Sequence, residues 1–462
     1  MTVMGLLTLV AILAVWFFRR EWTQYVLGVT VAFPHTAALT TGIQGFPLFY
    51  FAVVVIAALS IPYLLMGLAQ PGRVAAITSR RAFLPDLLGV LLVAWGAFIG
   101  IIGPRLFAGM RVFDAANGID GQVGNMAVLA PTGQNLAQIG YLGFSALFLL
   151  LSGRLFRVDS RILGSALWVA VVLAAIRIVA EPVWPKELLQ NMEVYYATPE
   201  RLAGTFAEPS DLGMYLTAAG AYFAVMLWRS TGRRRIPYAL GLVVVAIDFL
   251  FNASGTALLG LAVVVFAAIA LGLRRLIVTS RFGVRPGAVV TFVAGVAAAL
   301  THLSMLYTIT IASASAKTET SSWVNRGASN LRAWEIFVES LGAGIGLGSN
   351  RPSSFFFLVL SCLGIVGVGL LGVMVVMALR AGARLPAVTA SAWAFAGIVI
   401  AASIAVPDLA SPVFWIGLAA CLCPWALARA EAVSDSPSAV DLTPALTPSA
   451  LPPVRPPFGS QA

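Results

Sequence analysis

Charge is what this sequence has least of. Only 10% of its 462 residues are Asp, Glu, Lys or Arg, while 60% are hydrophobic; a soluble globular domain carries about 25% charge. No soluble core could shelter that much apolar surface. A water-soluble fold is therefore excluded, and the bilayer becomes the solvent. Histidine is almost as scarce. His35 and His302 stand alone, with no Cys, Asp or Glu at metal-ligand spacing, so both read as satisfied interfacial or core residues and no metal is expected. The three cysteines, Cys362, Cys421 and Cys423, all fall inside apolar runs, which excludes a disulfide framework. A basic n-region and a small-residue cleavage site are missing from the N-terminus, so residues 1–18 read as a retained first span.

What is present is a series of apolar runs. A helix crosses roughly 30 Å of hydrocarbon in about 20 residues. Runs of that kind fall at 3–18, 22–34, 46–69, 87–103, 135–152, 160–179, 211–228, 237–251, 255–273, 287–305, 354–379, 388–406 and 411–428. The second is short and ends at Pro34, which suits a re-entrant segment. The expected fold is all-α: a polytopic transmembrane helix bundle of 12–13 spans covering 1–429. A Pro- and Ser-rich tail, 430–462, is expected to be disordered and cytoplasmic.

The net charge of +10 invites a nucleic-acid partner, but its distribution argues against one. With the turn at 19–21 placed in the cytoplasm and sides alternating from there, 20 of the 29 Lys and Arg fall on the cytoplasmic side, in clusters at every second turn. That is how orientation is encoded in a membrane protein. Three long segments fall on the other side, 104–134, 180–210 and 306–353, and they carry mixed charge, where recognition is more often found. In the last, 330–341 reads as an amphipathic helix with Ser329 as its N-cap. Leu331, Trp334, Val338 and Leu341 share one face; Arg332, Glu335 and Glu339 share another.

Three stretches could carry chemistry. The first, Arg201-Leu-Ala-Gly-Thr-Phe-Ala-Glu208-Pro-Ser-Asp-Leu-Gly213, sits where the chain re-enters lipid. It reads equally as a helix start, with Pro209 in the first turn and Arg201 paired to Glu208, and as a site. The second, Asn252-Ala-Ser254-Gly-Thr256, reads first as a tight turn using Gly255 at positive φ, and second as hydroxyls and amides for a phosphate. The third joins Arg326, Arg332 and Glu335 to Gly344-Ile-Gly-Leu-Gly-Ser-Asn-Arg351. Guanidinium holds oxyanions in a planar fork and keeps its proton, so these arginines suit a diphosphate; they equally suit lipid headgroups. Arg177, near the end of the sixth span, is a further polar candidate, and Asp248 is a polar residue within the eighth.

These motifs resemble those of the O-antigen ligase and Wzy-type polysaccharide polymerase family of bacterial inner-membrane glycosyltransferases. Arg201-x-x-Gly-Thr-Phe-x-Glu-Pro-x-x-Leu-Gly213 is similar to the family's R-x-x-G-t-f-x-x-p-n-x-x-g element, and Ser254-Gly-Thr256 to its S-x-[ST]-[RG] turn. Arg332-x-Trp334 with Gly344-x-Gly-x-Gly348 resembles its large periplasmic loop, and Leu363-Gly-Ile-Val-Gly367 a glycine pair in the span after it. The likeness covers roughly 200–375. Family ligases place a His just after the glycine stretch; here it reads Ser349-Asn-Arg351-Pro, which leans the likeness toward a polymerase.

The resemblance implies transfer of glycan repeat units from an undecaprenyl-diphosphate-type carrier, without metal or other cofactor, on the periplasmic face. It implies Arg177, Arg201, Arg326, Arg332, Arg351, Ser254 and Thr256 as substrate-binding residues and Glu208 and Glu335 as catalytic carboxylates. Membrane lipids and other polysaccharide-assembly proteins are the implied partners, with no nucleic acid. Competing readings are a ligase for a lipid or other acceptor, a polysaccharide transporter or lipid flippase, and a non-enzymatic assembly factor. The absence of a convincing internal repeat counts against transport.

Overall fold

The computed structural model describes residues 1–41, 44–68, 83–113, 126–153, 158–189, 192, 201–252, 254–255, 259–262, 265 and 321–434. Within them the protein is an all-α, multi-pass membrane bundle. Six helices are long and apolar enough to cross a bilayer: Leu84–Leu106, Gly133–Leu151, Arg161–Val183, Gly232–Asn252, Phe355–Arg384 and Pro386–Ile404. Three shorter apolar helices accompany them, Val3–Phe18, Leu48–Pro62 and Pro412–Pro424. The expected span at 287–305, most of that at 255–273, and the tail beyond Ser434 lie outside the described residues. The last helix runs to Ser434, a few residues past the expected start of the tail.

In chain order the helices are α1 (Val3–Phe18), α2 (Thr23–Val31), α3 (Leu48–Leu68), α4 (Phe83–Leu106), α5 (Gly133–Leu151), α6 (Arg161–Ala180), α7 (Lys186–Leu189), α8 (Pro209–Arg229), α9 (Arg235–Asn252), α10 (Ser321–Glu339), α11 (Phe355–Arg384), α12 (Thr389–Ala405) and α13 (Pro412–Ser434). Two small hairpins interrupt them: β1 (Ala37–Thr41) with β2 (Gln44–Pro47), and β3 (Arg111–Val112) with β4 (Ala127–Val128).

The turns rich in arginine gather at one end of the bundle. Arg229 donates to the Pro386 carbonyl, Ser160 Oγ to Ala387 O at 2.9 Å, and the Asp159 N–H to Gln24 Oε1 at 2.8 Å. This basic end is the one that the charge pattern assigns to the cytoplasm. The motif segments occupy the opposite end.

The 22–34 run forms only nine helical residues, about 14 Å at 1.5 Å per residue. The chain completes the crossing as irregular backbone through 32–36 and reaches the level of Thr2, whose N–H donates to Ala38 O at 2.9 Å. Unwound backbone survives at membrane depth only where protein satisfies its polar groups. Here Tyr215 Oη donates to Val31 O at 2.8 Å, Thr205 Oγ1 to Ala32 O, and Thr36 Oγ1 to Leu189 O.

At the centre lies α8. Its residues Leu212–Phe223 are all buried, against α6, α9 and α12. Its composition falls short of the apolarity of the six spans above, because Ser210, Asp211, Gly213, Thr217 and Gly220 interrupt it. A helix enclosed by helices has no lipid to satisfy, and small residues let its neighbours approach closely.

α11 is broken at Gly364, where φ is 64° and ψ is −162°, a conformation only glycine adopts readily. The segment after α10 fills the break. Ile345 N–H donates to Ser361 O and Gly346 N–H to Cys362 O, each at 2.9 Å, while Ile365 N–H returns to Gly342 O at 2.9 Å. Trp95 Nε1–H from α4 satisfies Leu363 O at 2.7 Å. Gly344, Gly346 and Gly348 all have positive φ, and a Cβ on any of them would strike backbone of α11, α4 or α5 at 2.6–2.9 Å.

Two local expectations are corrected. The helix around 330–341 begins at Ser321, so Ser329 is interior to it and caps nothing; its Oγ bonds Arg326 O at 3.0 Å and Ser353 Oγ at 2.8 Å. Gly255 is not at positive φ, so the turn it occupies does not require glycine.

Candidate functional site

The site is built at the end opposite the basic turns, from the segment leading into α8, the end of α9 and the inward face of α10. Gly204, at φ 62°, turns the segment. Its carbonyl accepts from Arg177 Nη1 at 2.5 Å, and Arg177 Nε donates to Glu181 Oε2 at 2.8 Å. Arg177 is buried, and through Nη1 and Nε it ties the turn to Glu181. Phe206 is fully buried against Tyr215, with ring centroids 4.5 Å apart, and anchors the segment to α8.

Arg201 stands at the start of this segment, half-buried, with Nε 3.4 Å from the Asn252 carbonyl. Burial, and then the positive charge of Arg326, lower its pKa below the ordinary guanidinium value. The two arginines come from distant parts of the chain. Arg326 lies on the flank of α10 that faces the protein, and its Nε–H is buried without a hydrogen-bond partner among the described residues. Two guanidinium groups held within reach of each other's charge form an arrangement that an anion would relieve.

The other candidates are placed differently. Arg332 is on another face of α10, and its Nη1 donates to Glu335 Oε2 at 2.8 Å and to Glu339 Oε1 at 2.7 Å. The hydrogen bond that Arg332 donates to Glu339 raises the Arg332 pKa, burial opposes this, and Glu335 adds to the rise. Arg332 and Glu335 therefore occupy each other in a surface triad. Arg351 is half-buried. Its backbone N–H donates to Phe113 O at 2.9 Å, and two residues on, Ser353 is clamped to Ser329 and Asn330 of α10. Arg351 thus sits on a segment fixed beside α10, but no contact joins it to the Arg201–Arg326 pair among the described residues. Ser254 is buried near the end of α9; Thr256 lies outside the described residues.

Glu208 is the N-cap residue of α8, and its carboxylate accepts from Ser210 Oγ at 2.9 Å. Behind it stands His35, which scarcity and lack of motif spacing had marked as structural. Its Nδ1 accepts the Ala207 N–H at 3.1 Å, which leaves the proton on Nε2, 3.7 Å from Asp211 Oδ2. His35 therefore holds the 207–211 segment that presents Glu208. Nothing at the level of sequence spacing signals this, since the two regions meet only through the unwound stretch after α2.

Two surface depressions, of about 440 and 540 Å³, lie elsewhere. One is lined by Ala14, Val15, Phe18, Arg19 and Trp22, the other by Ala224, Leu227, Trp228, Arg235 and Leu242. Both are at the basic end, on outward helix faces, and neither touches the motif segments. Among the described residues no group of three or more His, Cys, Asp or Glu is placed to hold a metal ion. No model of a known protein family and no curated protein matches this chain.

Proposed function

We propose that this protein is a bacterial inner-membrane glycosyltransferase that polymerises polyprenyl-diphosphate-linked glycan repeat units at the periplasmic side, for surface or exopolysaccharide assembly. The observation that carries the reading is that Arg326, whose Nε–H is buried without a hydrogen-bond partner among the described residues, stands at the same end of the bundle as half-buried Arg201, whose pKa burial and then the Arg326 charge lower. The likeness of 201–213 to an element of the O-antigen ligase and polysaccharide polymerase family supports the same reading.

In the reaction, the bond between the donor sugar's anomeric carbon and the diphosphate oxygen breaks, and a new one forms to the acceptor hydroxyl. The leaving group departs as a polyprenyl diphosphate already bearing its charge. Arg201 and Arg326 bind that diphosphate and stabilise the charge that grows on the departing oxygen. Glu208, held by Ser210 and close in sequence to Arg201, is the carboxylate assigned to receive the acceptor proton. Glu335 is assigned to the triad with Arg332 instead. Ligation to another acceptor is the less favoured chemistry: the position where ligases carry histidine is Asn350 with its neighbours, and Asn350 is committed to Phe113 N–H at 3.1 Å and Ser361 Oγ at 3.1 Å.

The test is polymer formation in cells carrying Arg201→Lys or Arg326→Lys. Lysine keeps the charge and loses the fork. At unchanged membrane levels of the protein, each variant is expected to reduce polymer at least about tenfold, or ~1.4 kcal/mol of transition-state stabilisation. Wild-type polymer length and yield from both would reject the reading. Movement of a lipid-linked glycan across proteoliposome membranes by a polymer-inactive Lys variant would instead favour transport.

A further inference from the structure

Deeper in the bundle than the arginine pair, α9 presents oxygen atoms that accept nothing. Asp248 is fully buried, and neither carboxylate oxygen has a hydrogen-bond partner among the described residues. One turn along the same face, Asn252 is also fully buried and its Oδ1 is likewise unpartnered. The amide orientation is fixed by its other end: Nδ2 donates to Leu202 O at 2.7 Å and to Pro209 O at 2.9 Å. Reversing it would turn the oxygen against two carbonyls, so Oδ1 is an acceptor with no donor. Arg201 does not supply one, since its Nε is directed at the Asn252 carbonyl.

A buried carboxylate without a counter-charge is strongly disfavoured among apolar helices. Something positive is therefore expected at these three oxygens. We propose that Asp248 and Asn252 bind a dehydrated monovalent metal cation of the sodium class at the α8–α9 interface. The ligand set is hard and carries one negative charge, which suits an alkali ion better than a divalent or transition metal. α8 supplies a further oxygen at this level. Phe223 packs on Gly241 and Gly220 faces Val245, and this antiparallel register brings Thr217 opposite Asp248. Thr217 Oγ1 is buried there and donates to Gly213 O at 2.9 Å.

The ion has a positioning role. Asn252 grips the carbonyls of Leu202 and Pro209, which bracket Ala203–Glu208, with Arg201 immediately before Leu202. Filling the site stiffens the end of α9 and thereby the frame that carries Arg201. The inference does not depend on what that frame binds.

The test uses the full chain in lipid nanodiscs, melted in choline chloride with NaCl, LiCl or KCl substituted at constant ionic strength and alkaline pH. Sodium is expected to raise the unfolding temperature saturably by several degrees. Asp248→Asn should abolish the shift, while Arg332→Ala, on the surface triad, should keep it. Identical melting of the wild type in choline and in all three alkali salts would overturn the proposal. So would a saturable shift retained by Asp248→Asn. An Asp248→Asn protein more stable than wild type in every salt would show a simply protonated carboxyl, which also overturns it. Should Asp248→Asn fail to fold, radiosodium binding to the wild type decides: one displaceable ion per chain is expected, and none overturns the inference.

Discussion

Two glycine- and arginine-bearing segments, 201–208 and 344–351, meet the same end of the bundle with different results. In 344–346, backbone N–H groups are used up by the chain itself: Ile345 and Gly346 donate to the carbonyls that the α11 break sets free. The glycines there allow the backbone to touch three helices, not a ligand. In 201–208, one glycine makes a turn, buried side chains hold it, and Arg201 at its start lies within reach of the Arg326 charge. The pattern of residue types is alike. What separates a plug from a cradle is where the donors end, and that is set by tertiary structure.

The largest effect is expected from breaking the plug. Gly364→Ala places a Cβ 2.2 Å from Gly342 O at a φ of 64°. Such a variant should fail to yield monodisperse protein on size-exclusion in detergent. Gly369→Ala, in the same helix with open space around it, should behave as wild type. Equal behaviour of the two would mean that the break is not held as described.

Next come the arginines. Binding of farnesyl diphosphate to purified protein should weaken at least about tenfold in Arg201→Ala and in Arg326→Ala, or ~1.4 kcal/mol each. Arg332→Ala, whose guanidinium is already shared by two carboxylates, should change it less than about twofold. Equal losses at all three positions would erase the distinction drawn between them.

A smaller effect is expected within the triad. A double-mutant cycle on Arg332 and Glu339 should give a coupling of about 0.2–1 kcal/mol in unfolding free energy, because both partners are partly exposed to screening solvent. The coupling should fade in high salt. A coupling insensitive to salt would place the triad in a drier setting than its exposure implies.

The smallest concerns the outer face of α10. Leu331, Trp334 and Val338 are exposed on the protein, opposite buried Ala333 and Ile336. A polarity-sensitive fluorophore on Val338→Cys should shift to the blue when the protein moves from a thin detergent shell into lipid nanodiscs. No shift would place that face in water.

The spans were legible because a lipid-facing helix must be apolar over a fixed length. α4, α5, α6, α11 and α12 lie close to the apolar runs that announce them. Less legible was anything that depends on a partner distant in sequence. The 22–34 run is short on its face, but that the chain goes on from it as unwound backbone cannot be read there, since Val31 O and Ala32 O are satisfied by Tyr215 and Thr205 from far along the chain. His35 gained its place by the same route. Arg201 was singled out correctly as a charge at the membrane edge, yet its neighbour could have been any of several arginines. Only packing of α10 selects Arg326 and turns Arg332 away. The start of α10 at Ser321 was missed because 321–329 is too polar to read as an apolar helical stripe.

The burial of α8 has a consequence for how the protein is made. A segment enters the bilayer from the translocon according to its own hydrophobicity. The central helix is less apolar than the six spans, because Asp211, Ser210 and Thr217 were selected for neighbours rather than for lipid. One of its main neighbours, α12, is not synthesised until residue 405. During translation α8 must therefore wait beside α6, with its polar positions only partly covered. Assembly is therefore expected to end with the C-terminal helices closing around a centre that entered the membrane before them.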